Sequence, residues 1–124
     1  NRKLQRRLAE AYLEYMESMV AYYEGQSRVL FDREIPQILL VHANTLNGDH
    51  LAALLDRLRR RGYRFVDLET ALADPAYGPP DPFVGAGGIT WLHRWALTRG
   101  IDKRLLRGEP TTPAWVQEVA GVEE

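Results

Sequence analysis

Apolar residues at Leu4, Leu8, Tyr12, Tyr15, Met19 and Tyr22 recur at the three-and-four spacing of one helix face. Arg6, Arg7, Glu10, Glu14 and Glu17 fall between them and form a solvated face. The pattern predicts one long helix from about residue 3 to about residue 30, ended before Pro36, because a residue preceding proline avoids the helical region. Then the period changes. Ile38-Leu39-Leu40-Val41 is apolar without alternation, the pattern of a strand buried on both faces of a parallel sheet. Asn44 to Gly48 reads as a loop, with Asn47 or Asp49 as cap for a helix whose inner face is Leu51, Leu54, Leu55 and Leu58. Gly62 closes that helix. Tyr63-Arg64-Phe65-Val66 reads as a second strand, and Asp67 caps a short helix that runs to Ala73.

The fold class expected is therefore α/β: a long N-terminal helix (1–31), a βαβα unit (37–73), and an irregular loop, helix and tail (74–124). Pro75, Pro79, Pro80 and Pro82 mark the loop, together with Gly78, Gly85, Gly87 and Gly88. Thr90 caps the last helix, which carries Trp91, Leu92, Trp95 and Ala96 and stops at Gly100. The tail from Gly108 reads as extended, with Trp115 as an anchor.

Composition narrows the function classes. The 124 residues are 45% hydrophobic and 27% charged, as expected of a globular chain rather than a disordered one. Sixteen basic and seventeen acidic residues give a net charge of -1, so no global charge draws the chain to nucleic acid or a membrane surface. No apolar run approaches the length of a membrane span, and no signal segment opens the chain. The absence of cysteine excludes disulfides, a thiol nucleophile and a zinc ribbon. A start without Met, already inside a helical pattern, reads as a piece of something longer.

Among candidate chemical groups, His42 stands out, because it ends a strand where parallel α/β folds place their active sites. Histidine titrates near neutrality and suits general acid–base work there. The structural alternative is a histidine that hydrogen-bonds the next loop. His50 and His93 lie in helical patterns and form no metal-ligand spacing with another His, Asp or Glu. Gly85-Ala86-Gly87-Gly88 lacks the preceding strand of a phosphate cradle. Arg57, Arg59, Arg60 and Arg61 sit in the last helical turns, where cations complement the dipole. Trp91, Trp95 and Trp115 offer either core or a stacking surface.

The run Ile35-Pro36-Gln37-Ile38-Leu39-Leu40-Val41-His42-Ala43-Asn44 resembles the polysaccharide deacetylase family, carbohydrate esterases of the chitooligosaccharide-deacetylase type. The resemblance continues through Leu46-Asn47-Gly48-Asp49-His50, Arg61 to Val66, Leu68 to Leu72, and Gly88 to Trp95, at the level of one bacterial subgroup. It implies part of a distorted (β/α) barrel that removes acetyl groups from N- or O-acetylated polysaccharides or oligosaccharides outside the cytoplasm. It further implies a divalent metal, often zinc, which activates water, an Asp base, and a His that protonates the leaving group. By that resemblance His42 is the acid and Leu40 lines the acetyl pocket; Trp91, from the aromatic surface, is expected as a substrate contact. The Thr-Phe-Asp-Asp and His-x-x-x-His motifs, which supply base and metal ligands, are absent from this sequence. The reading is thus the carboxyl-terminal part of a deacetylase, inactive without its amino-terminal half, with self-association expected of its open strand edges. The alternative is a non-catalytic α/β module that binds glycan or protein through its tryptophans.

Overall fold

Alpha-helix α1 runs from Arg2 to Phe31, the bounds its apolar spacing predicts to within a residue. It stops where Asp32 takes a left-handed backbone (φ 55°) while its N–H still donates to the Arg28 carbonyl. In this computed structural model, which describes residues 1–86 and 90–122, four further helices follow. They are α2 (Thr45–Arg60), α3 (Leu68–Leu72), α4 (Trp91–Thr98) and α5 (Ala114–Ala120), with 3₁₀ turns at Pro75–Tyr77 and Lys103–Leu106.

The described residues contain no strand, which corrects the α/β expectation. The βαβα unit and the barrel of which it was to be part are not formed: α2 and α3 are present, and the segments read as strands are irregular chain without a ladder. The physical reason is that a strand exists only beside a partner. The apolar run predicts burial on both faces, yet Ile38 and Leu39 are exposed and Leu40 is 86% exposed. Among the described residues, helices joined by irregular connections are what remains.

Local signals fare better because they are satisfied within a few residues. Asp67 accepts the Thr70 N–H at 2.8 Å and caps α3, and Thr90 accepts the His93 N–H at 3.3 Å and caps α4. Gly62 (φ 99°) donates to Arg59 while Tyr63 donates to Leu58, and Gly100 (φ 67°) donates to Leu97 while Ile101 donates to Ala96. Both are the paired bonds of a helix end that turns through a left-handed residue. Two boundaries move. The cap of α2 is Asn44, whose side chain accepts the Asn47 N–H at 2.9 Å, so the helix starts inside the expected loop. The tail expected to be extended forms α5 between Pro113 and Gly121, with Trp115 in its first turn.

The chain divides into two compact units, each with a core of its own. Unit 1 comprises Asn1–Val20, Leu40–Arg64 and residues 110–122; its core is Leu13, Leu54 and Leu58, flanked by Tyr12, Met16, Val20 and Tyr63. Unit 2 comprises Ala21–Leu39 and residues 65–86 and 90–109; its core is Ile35, Ala76, Leu92 and Trp95, flanked by Tyr23, Leu30, Phe31 and Tyr77. Trp95 is the centre of this second core, edge-on to Phe31 at 5.6 Å and to Tyr77 at 5.3 Å. Arg33 grips Asp74 through two nitrogen–oxygen pairs and holds that carboxyl below its ordinary pKa.

Ser27 fixes the turn after α1. Its fully buried hydroxyl donates to the Arg33 carbonyl at 2.8 Å and accepts the Ile35 N–H at 2.9 Å. Ser27→Ala leaves both backbone groups unsatisfied without creating a large cavity. The expected loss is about 1–3 kcal/mol, seen as a lower urea midpoint with an unchanged slope. An unchanged midpoint would show that these groups find other partners.

Candidate functional site

The segment that carries Leu40 and His42 enters α2 in unit 1. Three side chains set its main chain. Asn44 caps the helix, Asn47 donates its amide to the His42 carbonyl at 2.7 Å, and Tyr12 of α1 donates its hydroxyl to the Asn47 side-chain oxygen at 2.5 Å. The backbone at His42 is therefore tied to both α1 and α2, while its imidazole is exposed with no hydrogen-bond partner among the described residues. Two residues earlier, Leu40 is almost wholly in solvent. The pair thus presents an apolar side chain and an imidazole from one anchored segment outside any helix.

Trp91 belongs to unit 2, at the start of α4. It is 52% exposed and its ring stacks on Trp95 at 6.1 Å, so one indole face is backed by protein and the rest is open. The other two tryptophans do not share that role. Trp95 is 3% exposed inside the core, and Trp115, in unit 1, lies under the Arg7 guanidinium at 4.5 Å. A binding surface made of all three tryptophans therefore loses Trp95.

The remaining candidates are placed as follows. His50 is half-buried in α2, its ring 6.3 Å from that of Tyr12. It lines an open groove of about 560 Å³ with Arg2, Arg6, Leu46 and Asp49. Arg57 reaches Glu10 at 2.5 Å and Glu17 at 3.4 Å, and Arg59 pairs with Asp56 at 2.7 Å. Part of the basic run is thus matched by carboxylates, which weakens it as a phosphate tracker. Of the glycine-rich stretch, Gly87 and Gly88 lie outside the described residues, as does Ile89. Among the described residues no three of His, Cys, Asp or Glu converge as a metal site.

One cluster escaped the sequence reading. In unit 2, Tyr22 and Tyr23 of α1, His93 of α4 and Glu109 come together: the Tyr22 hydroxyl is 3.1 Å from His93 Nε2, and Tyr23 donates to Glu109 at 2.8 Å. Burial pushes the Tyr22 and Tyr23 hydroxyls up in pKa and the His93 imidazole down. These partners are separated by 71 and 86 residues, so spacing along the chain carries no trace of them. No protein-family model, no curated protein and no solved structure matches this chain.

Proposed function

We propose that this chain is the carboxyl-terminal part of a metal-dependent deacetylase acting on N- or O-acetylated glycans, with His42 as its general acid. The observation that carries the reading is the Leu40-Val41-His42 segment: it lies outside any helix, exposes the Leu40 and His42 side chains, and is fixed at the His42 carbonyl by Asn47. Amide hydrolysis must expel an amine, which leaves poorly unless it is protonated. A histidine held by its main chain but free at its ring can deliver that proton. Leu40 offers its methyl groups to the acetyl methyl. Trp91, in unit 2, by itself offers an exposed indole face on which a sugar ring can stack. The metal, when bound in the whole enzyme, would activate water and polarise the carbonyl. Among the described residues no three possible ligands converge, and the proposal assigns the metal ligands and the base to the upstream polypeptide.

The purified chain is therefore expected to release no acetate from an acetylated chitooligosaccharide, with or without added zinc. Zinc-dependent acetate release by the homogeneous chain would overturn the division of the site between two stretches of polypeptide.

The same exposed segment predicts an association behaviour. An apolar run outside any ladder offers backbone donors and acceptors together with exposed Ile38, Leu39 and Leu40 side chains. The isolated chain is expected to self-associate as its concentration rises. Leu40→Lys, at a position already in solvent, is expected to shift sedimentation toward the monomer without loss of helical signal. Equal association by both proteins would place the contact elsewhere.

A further inference from the structure

The starts of α1 and α2 border one open groove of about 560 Å³ in unit 1, within the size range of small-molecule sites. Its two walls carry opposite charge. Arg2, Gln5 and Arg6 line the α1 side, and Thr45, Asp49 and His50 line the α2 side. The Arg2, Arg6 and Asp49 side chains are exposed, and none of them has an ion-pair or hydrogen-bond partner among the described residues. Two cations and a carboxylate thus face one groove without meeting. Farther along α2 the situation differs, because Arg57 is matched by Glu10 and Glu17.

Helix stability does not account for these arginines. Neither helix has an acidic residue in its first turn, and Arg2 stands in the first turn of α1, where a cation opposes the helix dipole. The main-chain donors of both helix ends are already served. The Asn1 side chain accepts the Lys3 and Leu4 N–H groups at 3.1 and 3.4 Å, and Asn44 accepts that of Asn47 at 2.9 Å. What the groove offers a ligand is therefore its side chains. The neighbouring Arg7 is engaged differently, over the Trp115 ring at 4.5 Å. Arg2 and Arg6 remain as unmatched donors on the wall of a cavity.

We propose that this groove binds a sugar acid, a hydroxylated ring that bears one carboxylate. Arg2 and Arg6 lie four residues apart on α1 and so share a face, and a guanidinium fork pairs with a carboxylate through two parallel N–H···O bonds. Charge selects a monoanion. Two guanidinium groups against the Asp49 carboxylate leave one positive charge, which a single ligand carboxylate balances. The Asp49 carboxylate can only accept, so it suits ring hydroxyls, while the Gln5 amide and the Thr45 hydroxyl can each donate and accept. Leu46, also on the α2 side and 42% exposed, gives the C–H face of a ring an apolar contact. The site stands whether or not His42 is an acid, because binding requires no turnover.

Titration of the 124-residue chain with sodium glucuronate, followed by the backbone amide signals of residues 45–50, is expected to saturate with a Kd on the order of 1 mM. Glucose keeps the ring without the carboxylate, acetate keeps the carboxylate without the ring, and inorganic phosphate carries more charge. Each is expected to bind at least about tenfold more weakly. Arg6→Gln removes the guanidinium fork and is expected to raise the glucuronate Kd about tenfold, with an unchanged helical signal because the side chain is exposed. Arg60→Gln, at the far end of α2, is expected to leave it unchanged. Asp49→Ala takes away the acceptor for the ring and is expected to narrow the difference between glucuronate and acetate. No saturable response to glucuronate would overturn the proposal, as would glucose binding as well as glucuronate or undiminished binding by Arg6→Gln. Inorganic phosphate binding more tightly than glucuronate would overturn the assignment to a carboxylate.

Discussion

Replacing His42 by alanine in the enzyme completed by its upstream polypeptide is expected to lower kcat by about 10²–10⁴-fold, the usual contribution of a positioned acid. Metal content is expected to stay unchanged, because the proposal gives His42 a proton to deliver and no metal to hold. The anchoring geometry adds a graded companion. Asn47→Ala leaves the imidazole in place and removes the amide that fixes the His42 carbonyl. It is expected to cost less than His42→Ala, since it loosens the position of the acid without removing it. His50→Ala and His93→Gln are expected to leave kcat within a few-fold, as neither belongs to the Leu40–His42 segment. Loss of metal on His42→Ala would make His42 a ligand. Full turnover in that variant would make it a structural residue and remove the chemistry assigned to this chain.

The largest effect on stability is expected at Trp95. Its side chain is 3% exposed, edge-on to both Phe31 and Tyr77, and in the same buried cluster as Ile35, Ala76 and Leu92. Trp95→Ala removes two ring contacts and opens a cavity in the second core. It is expected to destabilise unit 2 by about 3–5 kcal/mol, measured by urea unfolding followed by far-ultraviolet circular dichroism. Trp91→Ala is the contrast, because half of that side chain is already in water. Comparable losses in the two variants would show that Trp95 is not the centre of that core.

Legibility in the sequence followed the range of each interaction. The span of α1, the caps Asp67 and Thr90, and the stops at Gly62 and Gly100 all depend on partners within six residues, and all could be read from residue types and spacing. The strand expectation failed because an apolar run states that side chains need cover and leaves open what covers them. Ile38 to Val41 carries that signal, and the described residues supply no ladder for it. Helix α5 was missed because seven residues opened by Pro113, without a side-chain cap, give almost no periodic signal. For the candidate site, Leu40 and His42 were named as residue types at a spacing, whereas the bond from Tyr12 that holds Asn47 in place joins residues 35 apart. The Tyr22–His93 contact spans 71 residues and was not legible at all.

The central claim is that catalysis needs this chain and an upstream polypeptide together. The most direct measurement is acetate release from an acetylated chitooligosaccharide, with zinc present, by the purified chain alone and by the chain co-expressed with the polypeptide encoded immediately upstream. The account predicts no release by the chain alone and zinc-dependent release by the pair, lowered about 10²–10⁴-fold by His42→Ala. Release by the chain alone, or none by a well-folded and metal-loaded pair, would contradict it.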